Sequence, residues 1–413
     1  MKSLLLFLLI LPFSFFRAHD PYTEDENLGR GYVVFESNGI PEQKGSYIEI
    51  RGEVVGGEFP EIYGKRALLK IYGAESLEFR TVGLEASVKV RKGKVFLSAS
   101  YGMLKAIYPK KKSIRDGFIE KAEQRIQDKE VSSLFLAYIF GEEQDVLPLR
   151  VQSSFGLTGL THLLVVSGSH VTLIALMLNK IAPHRYGILL SLLGITFYVL
   201  LFVPYEPPVL RAYVMLFFAL LVKLFYRRPD LLGLLFLSGC LILSVYPHYV
   251  KSYSFWLSFF ATLYLILSVR NTEGIKRFFN TRFKVKAWYY LFLSFWSSLF
   301  AFLGTAPLVA SFSLVAPVSI IATPVVAVLF VPFTAYSLLE VVSSFNLPTF
   351  PVEALGKLII KLVDVFSSLE FTLRSFISFE KAMFVETLGA FTLYFLKDWW
   401  KLITLGILSL MLF

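Results

Sequence analysis

The residues able to do chemistry crowd into one apolar stretch. Between Gly156 and Ile174, His162, Ser167 and His170 fall within a run of leucines and valines that Ser167-Gly168-Ser169 interrupts. Ser167 and His170 are three residues apart, which on a continuous helix puts them on one face. A hydroxyl beside an imidazole is the elementary nucleophile–base pair, so an intramembrane hydrolase using Ser167 and His170 is one reading. Gly168 between them undoes the regular geometry, and no acidic residue is identifiable to orient the imidazole. A second reading concerns position. Lipid offers no water to freed backbone groups, so a Gly-flanked break at membrane depth must face protein or a wet path. His162, Ser167, Gly168, Ser169 and His170 then line a discontinuous or re-entrant helix. In the plainest reading, the histidines cap or pack a helix start.

Other charged or special residues carry less. Arg211, in Pro207-Pro208-Val209-Leu210-Arg211-Ala212, sits near the expected outer end of its helix. It either snorkels to the interface or contacts a phosphate at a pore mouth. Arg91-Lys92-Gly93-Lys94 forms a basic hairpin tip, a solvated turn or a contact for a phosphate backbone. Pro307, Pro317, Pro324 and Pro332 are expected to interrupt helices; broken helices occur where transporters bind substrate, and also in plain packing. No Gly-x-x-x-x-Gly-Lys-Ser/Thr sequence is present, so the chain is not its own P-loop motor. No zinc-hydrolase histidine cluster is present either, and Cys240 is a lone cysteine. No metal, cofactor or disulfide is expected, and the chain is not read as an enzyme.

These residues sit in a chain of 413 residues that is 55% hydrophobic, 16% aromatic and 17% charged. That is a polytopic helical membrane protein with one polar segment. The net charge of +10 reads first as topology, because loop 270–287 alone holds 6 Lys/Arg against 1 Asp/Glu. Residues 20–110 hold 13 of each sign, so they carry no net charge for DNA.

In chain order, residues 1–19 read as a signal peptide or signal anchor. Residues 20–110 alternate with period two in five runs (32–35, 47–55, 67–72, 86–90, 95–99), which suits a small β-barrel outside the cytoplasm. Residues 111–150 hold an amphipathic connecting helix over 113–140, with Ile114, Phe118, Ala122 and Ile126 recurring every fourth position. Hydrophobic spans follow at about 160–182, 186–204, 209–226, 231–247, 253–270, 287–311, 314–343 and 386–413, giving seven to ten crossings. Residues 352–377 read as an interfacial or packing helix. The membrane domain proper is 151–345, with further helices over 346–413. Positive-inside bookkeeping is consistent with the β segment outside.

Gly156-Leu-Thr-Gly159-Leu-Thr-His162-Leu-Leu-Val-Val-Ser167-Gly168-Ser169-His170 resembles the signature of the ComEC-type competence proteins. Phe140-Gly141 with the acidic residues after it, Pro208-Val-Leu-Arg211-Ala212, Phe255-Trp256-Leu-Ser258-Phe259, and Thr305-Ala-Pro307 with Pro317 and Pro324 resemble further family elements. The resemblance covers about residues 30–345. It implies an OB-like external domain, and a competence-type membrane domain in the inner membrane that conducts single-stranded DNA into the cytoplasm during transformation. It also implies an external DNA receptor, a cytoplasmic motor or helicase, the surrounding lipid and, where strand degradation is needed, a separate nuclease; assembly with further copies into a homo-oligomer is left open. Departures are Thr172 for a common Gly, Trp256 for Gln and Ser319 for Asn. The metallo-β-lactamase-like domain of longer members has no counterpart in this sequence, so nuclease activity is not carried over. The rival reading is a transporter of small or lipid-linked solutes.

Overall fold

A computed structural model describes residues 2–17, 26–37, 42–44, 47–63, 66–73, 81–91, 94–108, 114–141, 147–164, 168–182, 184–203, 205–269, 286–369, 371–374 and 377–395. The chain divides into His19–Ser113 and a second unit made of Met1–Ala18 with Ile114–Phe413.

The smaller unit contains β1 (Glu26–Ser37), β2 (Glu42–Lys44), β3 (Tyr47–Gly57), β4 (Arg66–Tyr72), β5 (Thr81–Arg91), β6 (Lys94–Ser100) and β7 (Leu104–Tyr108). The five runs read from the sequence fall on β1, β3, β4, β5 and β6, and these close on themselves. β1 pairs with β3, β3 with β4, β4 in parallel with β6, β6 with β5, and β5 returns to β1. A closed five-stranded ring with this order is an OB-type barrel. Alternation drives it: on β5, Val82, Leu84, Ala86, Val88 and Val90 are buried while Lys89 faces out. The outer charges pair with one another, Lys105 with Glu85 and Lys70 with Glu49 at 3.7 Å. Arg91 and Lys94 stand opposite each other where β5 meets β6; Lys92 lies outside the described residues.

The larger unit is helical: α1 (Lys2–Arg17), α2 (Ile114–Arg125), α3 (Lys129–Phe135), α4 (Leu149–Leu157), α5 (Gly168–Ile181), α6 (His184–Phe202) and α7 (Pro207–Leu224), then α8 (Leu231–Val245), α9 (Tyr253–Val269), α10 (Lys286–Leu303), α11 (Ala306–Ala310), α12 (Ser319–Val342), α13 (Phe350–Ser367) and α14 (Phe379–Phe395). Among the described residues, Arg185–Phe202, Pro207–Leu224 and Ser319–Val342 are long and apolar enough to cross a bilayer, and four shorter helices are also apolar.

The helix expected over 113–140 is divided. Asp128 accepts from the Glu130 and Val131 amides at 3.0 and 3.1 Å and starts α3 afresh. Burial pushes its carboxyl up, but those amides and the Lys357 ammonium 3.2 Å away outweigh it and hold the group below the usual aspartate range. α3 then widens into a π-helical turn, Leu136–Phe140, closed by Gly141 in the left-handed region at φ 66°.

The prolines also correct an expectation. α12 runs unbroken through Pro324 and Pro332. The interruption lies earlier, between α10 and α12. There Pro307 opens α11 and Pro317 precedes α12, places where a missing N–H leaves no helical bond unmade.

Two apolar cores organise the helical unit. The first gathers α2 to α7 with α12 and α13; the second gathers α1, α8 to α11 and α14. α7 serves both, giving Val209, Tyr213 and Leu220 to the first and Leu210 and Met215 to the second. In the second, Phe7 of α1 stacks on Phe259 at 5.0 Å and fills a notch at Gly239, where a Cβ would come within 2.6 Å of its ring. Ser3 neighbours Gly233, Phe7 neighbours Gly239, and the Ser14 hydroxyl donates to the Leu243 carbonyl at 3.3 Å, so α1 runs parallel to α8.

Candidate functional site

The segment 156–174 does not form one helix. α4 stops at Gly159, whose φ of 70° only glycine adopts cheaply. The Leu160 amide reaches back to the Phe155 carbonyl at 2.9 Å and the Gly159 amide to the Gly156 carbonyl at 3.1 Å, the paired bonds of a Schellman motif. A Cβ on Gly159 would sit 3.2 Å from the Cβ atoms of Ala316 and Ser319, so this turn is pressed against the interruption before α12. His162 follows on a short 3-10 turn, exposed, with Nδ1 3.1 Å from the Gly159 carbonyl. Ser167 lies outside the described residues, and with it the Ser167–His170 pairing that a hydrolase needs.

The chain resumes helical form at Gly168, with Ser169 in the first turn of α5. A Cβ on Gly168 would stand 2.9 Å from the Ala212 Cβ, so α5 and α7 start side by side. His170 is fully buried, its ring centred 4.0 Å from that of Tyr138 in the π-helical turn. The Tyr138 hydroxyl lies 2.7 Å from Thr334 Oγ1. Thr334 commits its own proton to the Phe330 carbonyl at 2.6 Å, so Tyr138 is the donor. The other end of the π turn is held by side chains: Tyr198 donates to the Ile139 carbonyl and Arg115 to the Phe140 carbonyl, both at 2.9 Å.

Arg211 lies one turn into α7, on the side turned towards α9. Its Nε donates to Ser258 Oγ at 2.5 Å, and its other nearby polar atom is Met215 Sδ at 3.7 Å. It is part-buried between the two cores, and among the described residues no carboxylate pairs with it. Trp256, where the resemblance leads one to expect Gln, donates from Nε1 to the Val250 carbonyl at 2.7 Å and packs with Phe255 and Phe260. Ser319 accepts at its carbonyl from Ser298 Oγ at 3.4 Å, which ties α10 to α12.

Stretches far apart in the chain thus touch: Gly159 with Ser319, Gly168 with Ala212, and Arg211 with Ser258. The competence protein family profile matches residues 139–401, which takes in every one of these contacts. The chain belongs to the competence protein family. It is 39% identical over 364 residues to an uncharacterized protein of Aquifex aeolicus (strain VF5), covering 86% of this chain and 83% of that one. No solved structure matches.

In this competence-family domain the convergence joins His170, Gly168 and Arg211 at the starts of α5 and α7. Pro307, Pro317 and Ser319 flank the interruption on the other side of Gly159, while Pro324 lies inside α12. Arg91 and Lys94 belong to the separate barrel. Sequence reading passed over Tyr138 and Thr334. Tyr138 sits in the apolar run Leu134–Phe140, and Thr334 within α12, with no local mark on either. Among the described residues no three His, Cys, Asp or Glu side chains gather as a metal site.

Proposed function

We propose that the protein is the conduit that passes single-stranded DNA across the cytoplasmic membrane in natural transformation, with the barrel outside. Family membership supports a role in DNA uptake. The observation that carries the finer reading is Arg211, a part-buried cation between the two cores, facing a serine and no carboxylate among the described residues. Cations in such a place are functional by default, and a guanidinium without an acid suits a passing phosphate. The starts of α5 and α7 lie beside it and add the positive ends of two helix dipoles.

Orientation follows from charge and chain direction. α8 begins just after Arg227-Arg228, on the side that positive charge marks as cytoplasmic. α1 runs parallel to it, so Lys2–Arg17 acts as a retained membrane helix that delivers the barrel to the far side. An external DNA receptor, a cytoplasmic motor or helicase and, where strand degradation is needed, a separate nuclease complete the system. His162 and His170 hold the break that shapes the path.

The test is uptake of labelled DNA in a transformable host lacking its own conduit, complemented with this chain. Arg211→Gln is expected to lower entry by about tenfold or more at unchanged membrane abundance, with Arg211→Lys intermediate. Wild-type entry in Arg211→Gln would remove Arg211 from the path. Failure of the wild-type chain itself, correctly inserted and with motor and nuclease present, would favour a small-solute transporter.

A further inference from the structure

α14 turns one stripe inward, formed by Ala382, Glu386, Gly389 and Leu393 at spacings of four, three and four, while Phe384 and Phe391 face outward. Three members of the stripe are apolar and the fourth is an acid. The Glu386 side chain is fully buried, and neither carboxylate oxygen has a hydrogen-bond partner among the described residues. Among the described residues, the titratable groups around it are few. From α9, the Tyr264 hydroxyl donates to the main-chain carbonyl of Glu386 at 3.1 Å. α11 presents only Ala306-Pro-Leu-Val-Ala310, and on α14 itself Glu380, Lys381 and Tyr394 are exposed. Tyr264 in turn is seated on the helix interruption: a Cβ on Gly304 would lie 2.7 Å from its ring.

Among the described residues the nearby donor is the Tyr264 hydroxyl, which is committed to the main-chain carbonyl, so the neutral acid is the form the surroundings accept. A leucine would complete the stripe without that difficulty. An unpaired acid buried in the apolar core of a helical membrane protein is read first as functional. We propose that Glu386 is a proton-binding site of the second core, protonated while α14 is packed on α9 and α11. It releases its proton to water when movement at the Gly304 interruption shifts Tyr264 and opens the stripe. The inference does not depend on what cargo the protein carries.

A hydrophobic carbodiimide tests it, because the reagent adds the O–H of a neutral carboxylic acid across its C=N bond and spares the ionised form. Full-length protein in native membranes would be treated with dicyclohexylcarbodiimide across a pH series and the modified residue located by mass spectrometry. The expected result is labelling of Glu386 that falls at least about fivefold between about pH 6 and about pH 9, and that is absent in Glu386→Gln. Equal labelling at every pH would make Glu386 a locked structural acid and overturn the proposal. So would no labelling of the folded protein when the unfolded protein reacts. A second arm measures DNA entry, where Glu386→Gln, which mimics the neutral form, is expected to fold normally and lose about tenfold. Where the wild-type chain restores DNA entry, unchanged entry in that variant would also overturn the proposal. The labelling arm reads no DNA, so its failure is distinct from failure of the conduit reading.

Discussion

In the first core several side-chain hydrogen bonds link the helices beside its ring contacts, whereas in the second a run of aromatic contacts predominates, with Ser14 on the Leu243 carbonyl and Tyr264 on the Glu386 carbonyl as its hydrogen-bonded links. Tyr138 meets Thr334, Tyr198 meets the Ile139 carbonyl, and Ser191 Oγ bridges the Ala175 and Gly187 carbonyls at 2.8 and 2.7 Å. Across the way, Phe7, Phe236, Phe255, Trp256, Phe259 and Phe260 pack in a continuous series. A hydrogen bond fixes register because it weakens steeply with misalignment, while ring packing gains its energy from area and tolerates small slides. The signature break lies in the first core and Glu386 in the second. Arg211 and Ser258 join the two.

The largest effect that would break this contrast is expected at Phe7. Phe7→Ala empties the Gly239 notch and removes the stack on Phe259, at about 3–5 kcal/mol for a buried phenylalanine. The full-length protein in detergent should melt markedly lower, with reduced membrane abundance. A melting temperature within error of wild type would mean that α1 is not part of the second core. Next comes Gly168→Val, which overpacks the contact of α5 with α7 at about 1–3 kcal/mol. Because the clash is with the Ala212 Cβ, adding Ala212→Gly should restore part of the loss. No relief in the double variant would show that the two helix starts are not in register.

The barrel was legible because period-two alternation is local: each of the five runs names its own inward face. The broken segment at 156–174 was legible too, since Gly159 and Gly168 punctuate an apolar run. Other features escaped for physical reasons. Four-residue recurrence from Ile114 to Ile126 suggested one helix, although Asp128 carried the capping signal that divides it. Pro324 and Pro332 were expected to break α12, but a proline's effect in an apolar helix depends on what surrounds the freed carbonyl, which a linear pattern does not contain. The pairings Gly168–Ala212 and Arg211–Ser258 join residues more than 40 positions apart. Family resemblance brought those stretches to attention, but only the fold brings them into contact.

The smallest effect sharpens the claim that hydrogen bonds set register in the first core. Tyr138→Phe removes one donor, and Thr334 keeps its own bond to the Phe330 carbonyl. Hydrogen bonds between membrane helices average about 0.6 kcal/mol, so that is the expected loss of stability. Thr334→Val removes both the link to Tyr138 and the bond within α12, and should cost more. A double-mutant cycle on the pair isolates the shared term, read from detergent melting of the four proteins. A coupling of about 0.6 kcal/mol with unchanged ring packing around His170 fits a register pin. Zero coupling would mean that Tyr138 acts through its ring against His170, 4.0 Å away, and that the first core is packed by rings much as the second is.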